Sequence, residues 1–362
     1  MQETRAVRPS EDLDRVRLAA YLREHLPAAP LGPIDPAREL EVEQFPGGRS
    51  NLTYLLRFGD TELVLRRPPF GPVAPTAHDM AREYRWLAAL HPVFPLAPQP
   101  YLLCNDPRVI GSFFYVMERR RGAVVRDEEP ATLAEQPAAR RRVGEAIVDT
   151  LVDLHAIDIA RHGLASLGKP AGFLERQVRG WTDRWHASKT SPVPDMEAVA
   201  QWLRAHQPPD PVSPSIVHGD FKLDNVMLDA RDPARVVAVF DWEMTALGDP
   251  LVDVGNLLTY WAPTTRPHAS STSDPVTTRP GWPTRDEIVA RYAARSGRSM
   301  SAVGFYEVFG RFKVAVVVQQ LFQRYATGRT DDPRFAAFDA RVQYLAHEAA
   351  RRARPGSAGP AT

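Results

Sequence analysis

Three side chains that carry oxygen ligands lie near one another in the middle of the chain: Asp220, Asn225 and Asp241. Asp220 follows a short apolar run that predicts a strand, Asn225 comes five residues later, and Asp241 ends the next predicted strand pair. This order predicts an aspartate, an amide and a second aspartate around one pocket. Carboxylate and amide oxygens are ligands that Mg²⁺ prefers, so the spacing indicates a magnesium–nucleotide site.

Simpler explanations exist for each of these residues alone. Asp220 and Asp224 are also good turn formers, because aspartate and glycine are favoured where strands reverse. His218, Asp220 and Asp241 could instead be ligands of a metallohydrolase, but the sequence lacks further clustered histidines. The joint occurrence of the three oxygen-bearing residues favours phosphoryl transfer, a reaction catalysed mainly by positioning and charge neutralisation.

The sequence HGDFKLDN at 218–225, followed by VFDWE at 239–243, resembles the catalytic core of the aminoglycoside phosphotransferases and choline kinases. The resemblance implies that Asp220 accepts the proton of an acceptor hydroxyl. It also implies that Asn225 and Asp241 bind Mg²⁺, with ATP or GTP as co-substrate. The His-Gly-Asp form, in place of His-Arg-Asp, favours a small-molecule acceptor over a protein.

The residues around this core have predicted structural roles. His218 is expected to brace the catalytic loop by hydrogen bonding. In the segment GDPLVDVG at 248–255, Asp249 is placed to cap the helix that Pro250 begins. Asp253 either braces the catalytic loop or occupies a solvated helix position.

A glycine-containing connection between two predicted strands resembles the nucleotide-binding loop of the same family. Glycines allow backbone N–H groups to approach phosphate closely, although two-glycine hairpin turns are common and most bind nothing. Because this connection precedes the Asp220 region in the sequence, we favour the interpretation that it binds nucleotide. The candidate residues of this loop are Gly47, Gly48, Ser50 and Asn51.

Arg66 stands where kinases carry the lysine that pairs with the α- and β-phosphates. Strand alternation puts it on one face with Val64, and we expect an ion pair with Glu83. A guanidinium stays charged and grips phosphate bidentately. The alternative is that Arg66 and Arg67 are solvated edge residues. With arginine at this position, the sequence resembles the kinase-like domain fused to some acyl-CoA dehydrogenases and its free-standing bacterial relatives. The resemblance extends over most of residues 35–330.

The end of the strand at 113–118 corresponds in the resemblance to a hinge that pairs with adenine. Met117 and Glu118 are the candidate residues there. The alternative is a buried edge strand that runs into a surface loop. The arginines of that loop, at 119–121, either attract a phosphorylated or CoA-bearing substrate or form a solvated charge run.

The periodicity of apolar residues predicts the elements that position these groups. A leading helix lies within 11–26, and the run up to Gly122 contains five strand-like segments and one helix around Met80–Leu90. The strand-like segments are Leu40–Phe45, Leu52–Phe58, Glu62–Arg66, Tyr101–Cys104 and Ser112–Met117. Helical spacing dominates after Gly122. The predicted class is α+β, a protein-kinase-like two-lobe fold with a five-stranded antiparallel sheet and one helix in the small lobe and a mainly helical large lobe.

The predicted domains are a nucleotide-binding lobe with its leading helix at 1–117, a linker at 118–126, a catalytic and substrate-binding lobe at 127–353, and a tail at 354–362. Residues 263–280 are rich in Ser, Thr and Pro and are expected to form a mobile loop.

The composition limits which kinds of partner the protein is expected to bind. The formal charge of +1 gives no reason to expect nucleic acid or an acidic membrane surface. No signal peptide or run of roughly 18 apolar residues is present, so we expect a cytoplasmic protein without a membrane partner. Cys104 is the single cysteine, so no intrachain disulfide can form. The sequence leaves the choice between monomer and homodimer open.

The predicted function is transfer of the γ-phosphoryl group of ATP or GTP to a hydroxyl of a small molecule. The acceptor stays open among a hydroxyacyl thioester, an antibiotic and another metabolite. Residues 171–190 contain more Lys and Arg than acidic residues, which favours a neutral or anionic acceptor. Trp181, Trp185 and Tyr325 either line its pocket or pack in the core. A catalytically silent nucleotide-binding regulator is the alternative function.

Overall fold

The structure is a computed structural model that describes residues 3–26, 31–32, 34–46, 51–69, 79–136, 138–261 and 275–354. The chain divides into two compact units. The first comprises Met1–Arg121 together with Val237–Glu243, and the second comprises Gly122–Val236 together with Met244–Thr362.

The first unit contains a five-stranded antiparallel sheet with the strand order β1-β2-β3-β5-β4. Its strands are β1 (Glu41–Gln44), β2 (Leu52–Phe58), β3 (Thr61–Arg67), β4 (Pro100–Cys104) and β5 (Phe114–Glu118). The central strand β3 is an almost continuous buried run, since both faces of the sheet are covered. The predicted five-stranded antiparallel sheet is confirmed.

Two helices accompany this sheet, α1 (Arg15–His25) and α2 (Met80–Leu90). Each begins after an aspartate, Asp14 or Asp79, whose carboxylate accepts a hydrogen bond from a backbone N–H in the first turn. Leu18 and Leu22 of α1 are fully buried in the core that this helix shares with the sheet. On α2 the buried side includes Glu83, which brings a carboxylate into the unit's interior.

The second unit is mainly helical. Its helices are α3 (Ala131–Ala134), α4 (Ala139–His155), α5 (Phe173–Ser188), α6 (Pro194–Ala205), α7 (Leu251–Tyr260), α8 (Arg285–Ser296), α9 (Val303–Ala326) and α10 (Phe338–Ala353). Helix α9 packs against α5, α6, α7 and α10, which explains why nearly all of its residues between Phe305 and Gln319 are buried. Gly255 of α7 lies against the Tyr306 backbone of α9, where a Cβ atom would overlap it.

Short strands frame the candidate catalytic loop of the second unit, residues 218–225. β7 (Ser215–Val217) pairs with β10 (Ala246–Gly248), and β6 (Ala123–Val124) pairs with β8 (Val226–Leu228). The segment 218–225 connects β7 to β8 and ends in a single 3₁₀ turn, Leu223–Asn225. A further strand, β9 (Val236–Val239), precedes Asp241. Candidate residues Asp220 and Asn225 therefore lie between two strand ends.

Parts of two predicted segments lie outside the described residues. These are 262–274, most of the segment predicted as a mobile loop, and 355–362, nearly all of the predicted tail. Residues 275–280 are described and include a short 3₁₀ helix, Val276–Thr278. Among the described residues, no helix combines the length and apolar character needed to cross a membrane.

Candidate active site

The catalytic loop begins with a turn that only glycine fits easily. Gly219 has a φ of +83°, and a Cβ atom there would lie 2.7 Å from the carbonyl oxygen of Met244. Both features disfavour any other residue, because L side chains rarely adopt a positive φ and the space is already occupied. The glycine of the His-Gly-Asp sequence thus sets the direction in which Asp220 leaves β7.

Asp253 of α7 braces this loop through hydrogen bonds to its backbone. Its buried carboxylate accepts hydrogen bonds from the backbone N–H groups of His218 (2.6 Å) and Gly219 (2.7 Å). His155 Nε2 lies 3.1 Å from the same carboxylate, and His155 Nδ1 lies 2.7 Å from the Tyr292 hydroxyl. Burial alone would raise the pKa of Asp253, but the imidazole of His155 outweighs it and the pKa lies below its ordinary value. The bracing role is confirmed, and the solvated alternative is excluded.

Asp220 is held by residues of its own loop. Its backbone N–H donates to His218 Nδ1 at 3.1 Å, which confirms that His218 braces the loop. The amide nitrogen of Asn225 donates to the Asp220 carbonyl oxygen at 2.8 Å and to Oδ2 at 3.2 Å. Lys222 Nζ donates to Oδ2 at 2.7 Å. The Asp220 carboxylate is therefore held by hydrogen bonds from within its own loop.

Two lysines near Asp220 were not among the predicted site residues. Burial alone would lower the pKa of Lys222, but Tyr260 and Asp220 outweigh it and hold the pKa above its ordinary value. Lys313 is a buried residue of α9 whose Nζ donates to the carbonyl of Gly219 and lies 3.9 Å from Asp220 Oδ1. The apolar residues around Lys313 in the sequence FKVAVVV at 312–318 were a signal that this lysine is buried, but not that it lies near Asp220.

The donor groups present suit Mg²⁺. The described part of the chain contains no group of three or more His, Cys, Asp or Glu side chains that could hold a metal ion. Asn225 directs its amide nitrogen to Asp220, and its amide oxygen accepts no hydrogen bond from the described residues. That oxygen is a hard donor, and Mg²⁺ commonly takes one or two protein ligands and completes its shell with phosphate and water.

A second charged cluster, in the first unit, centres on Arg66. Its guanidinium lies 2.5 Å from Asp241 Oδ1, 3.4 Å from Glu83 Oε1 and 3.5 Å from Glu243 Oε2. Arg66 and Arg67 are both buried, and Arg67 donates instead to the carbonyl of Ile110 at 3.0 Å. The alternative of solvated edge residues is wrong, because the strand faces are covered by α2 and by the core.

The electrostatics of the Arg66 cluster are dominated by its carboxylates. Burial alone would lower the pKa of Arg66, but Glu83 and Asp241 reverse this and hold the pKa above its ordinary value. Burial raises the pKa of Glu83, and Arg66 offsets only part of that effect. Asp241 has a φ of +68° and is the only described non-glycine residue with a positive φ. Such strain is found where surrounding contacts fix an unusual conformation.

The predicted nucleotide-binding loop is described only at its end. Asn51 is buried, and its amide donates to Glu243 Oε2 at 2.8 Å. Gly47, Gly48 and Ser50 lie outside the described residues. The structure thus joins Asn51 to the Arg66 cluster through Glu243, a residue that was not predicted. Its position two residues after Asp241 was the available signal.

The candidate hinge residues lie at the end of β5. Met117 is buried, and the backbone N–H of Glu118 donates to the carbonyl of Gln99 at 2.8 Å. The arginines that follow are each paired within the first unit. The pairs are Arg119 with Glu3, Arg120 with Glu118, and Arg121 with Glu62. Each arginine at 119–121 therefore has a carboxylate partner, although Glu62 is shared with Arg57.

Three other predictions concern the second unit. Asp249 Oδ1 accepts the backbone N–H of Leu251 at 2.9 Å, at the start of α7, which confirms its capping role. Trp185 is fully buried and donates to Glu197, so it packs in the core. Trp181 is also buried, whereas Tyr325 is half-buried.

Known proteins are similar to this chain over most of its length. A family model described as the phosphotransferase enzyme family matches residues 41–293. The chain is 36% identical over 331 residues to acyl-CoA dehydrogenase family member 11 of Rattus norvegicus, a match that covers 90% of this chain and 42% of that relative. The chain thus spans less than half the length of this relative and of other acyl-CoA dehydrogenase family members that it matches.

Solved structures show the same fold. A Ralstonia eutropha protein, provisionally described as an aminoglycoside phosphotransferase, is 30% identical with a TM-score of 0.77, and the match covers 94% of this chain and 98% of that one. A mutant of aminoglycoside phosphotransferase APH(4)-Ia, in a ternary complex with AMP-PNP and hygromycin B, has a TM-score of 0.57. That match covers 88% of this chain and 95% of the other at 16% identity, and therefore shows the fold alone.

The predicted class, an α+β protein-kinase-like fold, is confirmed by these structures. The predicted resemblance to the kinase-like domain fused to acyl-CoA dehydrogenases is confirmed by the matched relatives. Because the family model matches well over half of the residues, this chain belongs to the phosphotransferase enzyme family.

Proposed function

We propose that the chain transfers the γ-phosphoryl group of ATP or GTP to a hydroxyl group of a small molecule. The observation that carries the proposal is the Asp220 carboxylate, held by Lys222 and Asn225 on a loop that Asp253 braces. A positioned carboxylate is what an acceptor hydroxyl needs in order to attack in line.

In the proposed reaction Asp220 accepts the hydroxyl proton as the acceptor oxygen bonds to the γ-phosphorus. The bond from that phosphorus to the bridging oxygen breaks, and the nucleoside diphosphate leaves. Asn225 and Asp241 are the proposed Mg²⁺ ligands, and when bound the ion neutralises charge on the phosphate oxygens. Lys222, whose ammonium touches Asp220, adds positive charge on the acceptor side.

The nucleotide is proposed to bind through residues of the first unit. Arg66, held by Glu83, would contact its phosphates, and Gly47, Gly48, Ser50 and Asn51 would form the phosphate-binding loop. Adenine would pair beside Met117 and Glu118. Support comes from the AMP-PNP complex of a phosphotransferase with the same fold. Residues 1–117 are then the nucleotide-binding lobe, 118–126 the linker, 127–353 the catalytic lobe and 354–362 the tail.

The test is acceptor-dependent ADP release together with detection of the phosphorylated product, over a library of hydroxylated metabolites and antibiotics. Asp220→Asn should lower kcat by about 100-fold or more, because general-base catalysis contributes that much, and should leave MgATP affinity nearly unchanged. Asp286→Asn, an exposed aspartate in the first turn of α8, is the matched control. Full activity of Asp220→Asn would refute the assignment of Asp220 as the base.

A catalytically silent nucleotide-binding regulator is the second candidate. The observation in its favour is that Arg66, in place of the usual lysine, lies against the proposed metal ligand Asp241. This function predicts tight MgATP binding, measured by calorimetry, without turnover of any acceptor. Phosphorylation of a single acceptor that depends on Asp220 would exclude it.

A further inference from the structure

A buried indole N–H in the second unit has no acceptor among the residues that the structure describes. Trp181 on α5 is 4% exposed, and its Nε1 makes no hydrogen bond with any described residue. Nearly all buried polar groups in native proteins are hydrogen-bonded, and an unsatisfied one calls for a specific explanation. Indole nitrogen only donates, so the missing partner is an oxygen or another acceptor atom.

Two cations lie over the same indole ring. The guanidinium carbon of Arg184 is 4.5 Å from the ring centroid, and Lys313 Nζ is 5.6 Å from it. Both distances are typical of cation–π contacts. Arg184 is exposed, and no carboxylate in the described part of the chain forms an ion pair with it. The ring that carries the unpaired indole N–H therefore lies next to two cations, of which Arg184 has no carboxylate partner among the described residues.

Lys313 links this place to the catalytic loop. The same ammonium that lies over Trp181 is 3.9 Å from Asp220 Oδ1 and donates to the Gly219 carbonyl. The Trp181 ring is therefore separated from the Asp220 carboxylate by no more than the length of a small acceptor molecule. A molecule whose hydroxyl reaches Asp220 can place another group beside Trp181 and Arg184.

A purely structural explanation, without a ligand, accounts for only part of this arrangement. Arginine side chains often lie over apolar or aromatic surface while the charged end stays in water, and Arg184 alone fits that habit. It does not account for the buried indole N–H without an acceptor. Lys313 is buried on α9 and already donates to the Gly219 carbonyl, so the indole N–H is the group that lacks a structural explanation.

We propose that Arg184 and the Trp181 N–H, beside Lys313, bind an anionic group of the acceptor, a carboxylate or a phosphate. This inference rests on the proposed function and narrows its acceptor to an anionic hydroxy compound. An acceptor with amino groups at this end, as in cationic antibiotics, would be repelled by Arg184 and Lys313.

The test follows the Trp181 indole resonance by NMR with ¹⁵N-labelled tryptophan, assigned with Trp181→Phe. The probes are acetate and inorganic phosphate, titrated at constant ionic strength against sodium chloride, and acetamide is the neutral match for acetate. The indole resonance should move with at least one of the two anions and stay in place with acetamide and chloride. Which anion moves it distinguishes carboxylate from phosphate. Absence of a shift with both anions, or an equal shift with acetamide, would overturn the proposal.

Arg184→Gln should weaken binding of the effective anion by about 10-fold or more, since a hydrogen bond to a charged group is lost. Arg179→Gln is the matched control, an exposed arginine of the same helix that lies beside Glu175. An equal loss in both variants would contradict a specific site.

A kinetic measurement separates this inference from the proposed function. With hydroxy acids as acceptors, Arg184→Gln should lower kcat/KM about 10-fold relative to the corresponding amides. Turnover that depends on Asp220 but is indifferent to Arg184 overturns the anion site and leaves the phosphotransfer intact. Specific anion binding at Trp181 without any phosphorylated product would support the anion site and contradict the phosphotransfer.

Discussion

The guanidinium of Arg66 lies 2.5 Å from the carboxylate of Asp241, so the residue proposed to act in place of the usual kinase lysine contacts a proposed metal ligand directly. Glu83 holds the same guanidinium from α2, and Glu243 lies 3.5 Å from it. One cation thus faces several carboxylates in a buried place. MgATP binding would give Asp241 a new cationic partner and Arg66 a new anionic partner. These contacts would replace the contact between the two residues.

The first prediction concerns the identity of the residue at position 66. Arg66→Met removes a cation that pairs with Glu83 and Asp241 and should lower the free energy of unfolding by about 3 kcal/mol, as expected when one partner of a buried ion pair is removed. It should also weaken MgATP binding at least about 10-fold. Arg66→Lys keeps the charge and should retain MgATP affinity within about 10-fold. Urea unfolding and calorimetry measure the two effects.

Arg67→Met is the control for position 66. Arg67 is equally buried but donates to the Ile110 carbonyl on the other strand face, so its loss should destabilise the unit without changing MgATP affinity. Equal MgATP affinity in Arg66→Met and wild type would remove Arg66 from the nucleotide site. Turnover that appears in Arg66→Lys and is missing in wild type would favour the regulator.

The second prediction follows from the buried carboxylate of Asp253. Its pKa is lowered from an ordinary value of 3.8, so the unfolded chain takes up the proton at higher pH than the folded chain does. The carboxylate therefore contributes stability above its unfolded pKa, and this contribution is lost as the pH falls through the folded pKa. Asp253→Asn should lower the free energy of unfolding at pH 7 by about 2–4 kcal/mol, because bonds to a charged acceptor are lost.

The pH dependence distinguishes this mechanism from a simple packing defect. Below pH of about 4, wild type should lose stability more steeply than Asp253→Asn, and the two curves should converge. Urea unfolding at several pH values measures the difference. A constant offset between the two proteins across the acid range would contradict the predicted role of the Asp253 charge.

Most of the fold could be predicted because its elements have clear periodicity. The alternation of Leu63, Val64, Leu65 and Arg66 predicted both the strand and the face from which Arg66 meets Glu83. The helices after Gly122 were recognisable from apolar residues at helical spacing. These features are local, and a single sequence contains them in full.

Features that depend on tertiary contacts could not be predicted. Lys313 lies almost a hundred residues after Asp220, and only the packing of α9 brings its ammonium to the Gly219 carbonyl. The positive φ of Asp241 could not be inferred from its residue type, since aspartate is common in ordinary turns. The choice between a solvated and a bracing Asp253 likewise depended on the position of α7 under the catalytic loop.

The third prediction concerns Gly219. Gly219→Ala places a Cβ atom 2.7 Å from the Met244 carbonyl in a backbone with φ of +83°, so the loop must shift. The shift would displace Asp220, and we expect kcat to fall about 100-fold with MgATP affinity retained. Gly180→Ala is the control, because this helical glycine of α5 has open space around it and alanine should stabilise the helix by about 0.5–1 kcal/mol. A Gly219→Ala enzyme with normal kcat would show that the loop tolerates the change.

The last prediction concerns Lys222, whose ammonium lies 2.7 Å from Asp220 Oδ2 and 4.9 Å from the Tyr260 ring. If Lys222 neutralises charge during phosphoryl transfer, Lys222→Met should lower kcat by about 100-fold and leave the KM for ATP within about threefold. Lys222→Arg keeps the charge and should recover part of the loss. Lys189→Met, a surface lysine paired with Glu197 in the same unit, controls for the removal of a charge. Because Lys222 also positions Asp220, the activity of Lys222→Arg is the discriminating measurement. A kcat of Lys222→Arg as low as that of Lys222→Met would contradict a role for the Lys222 charge.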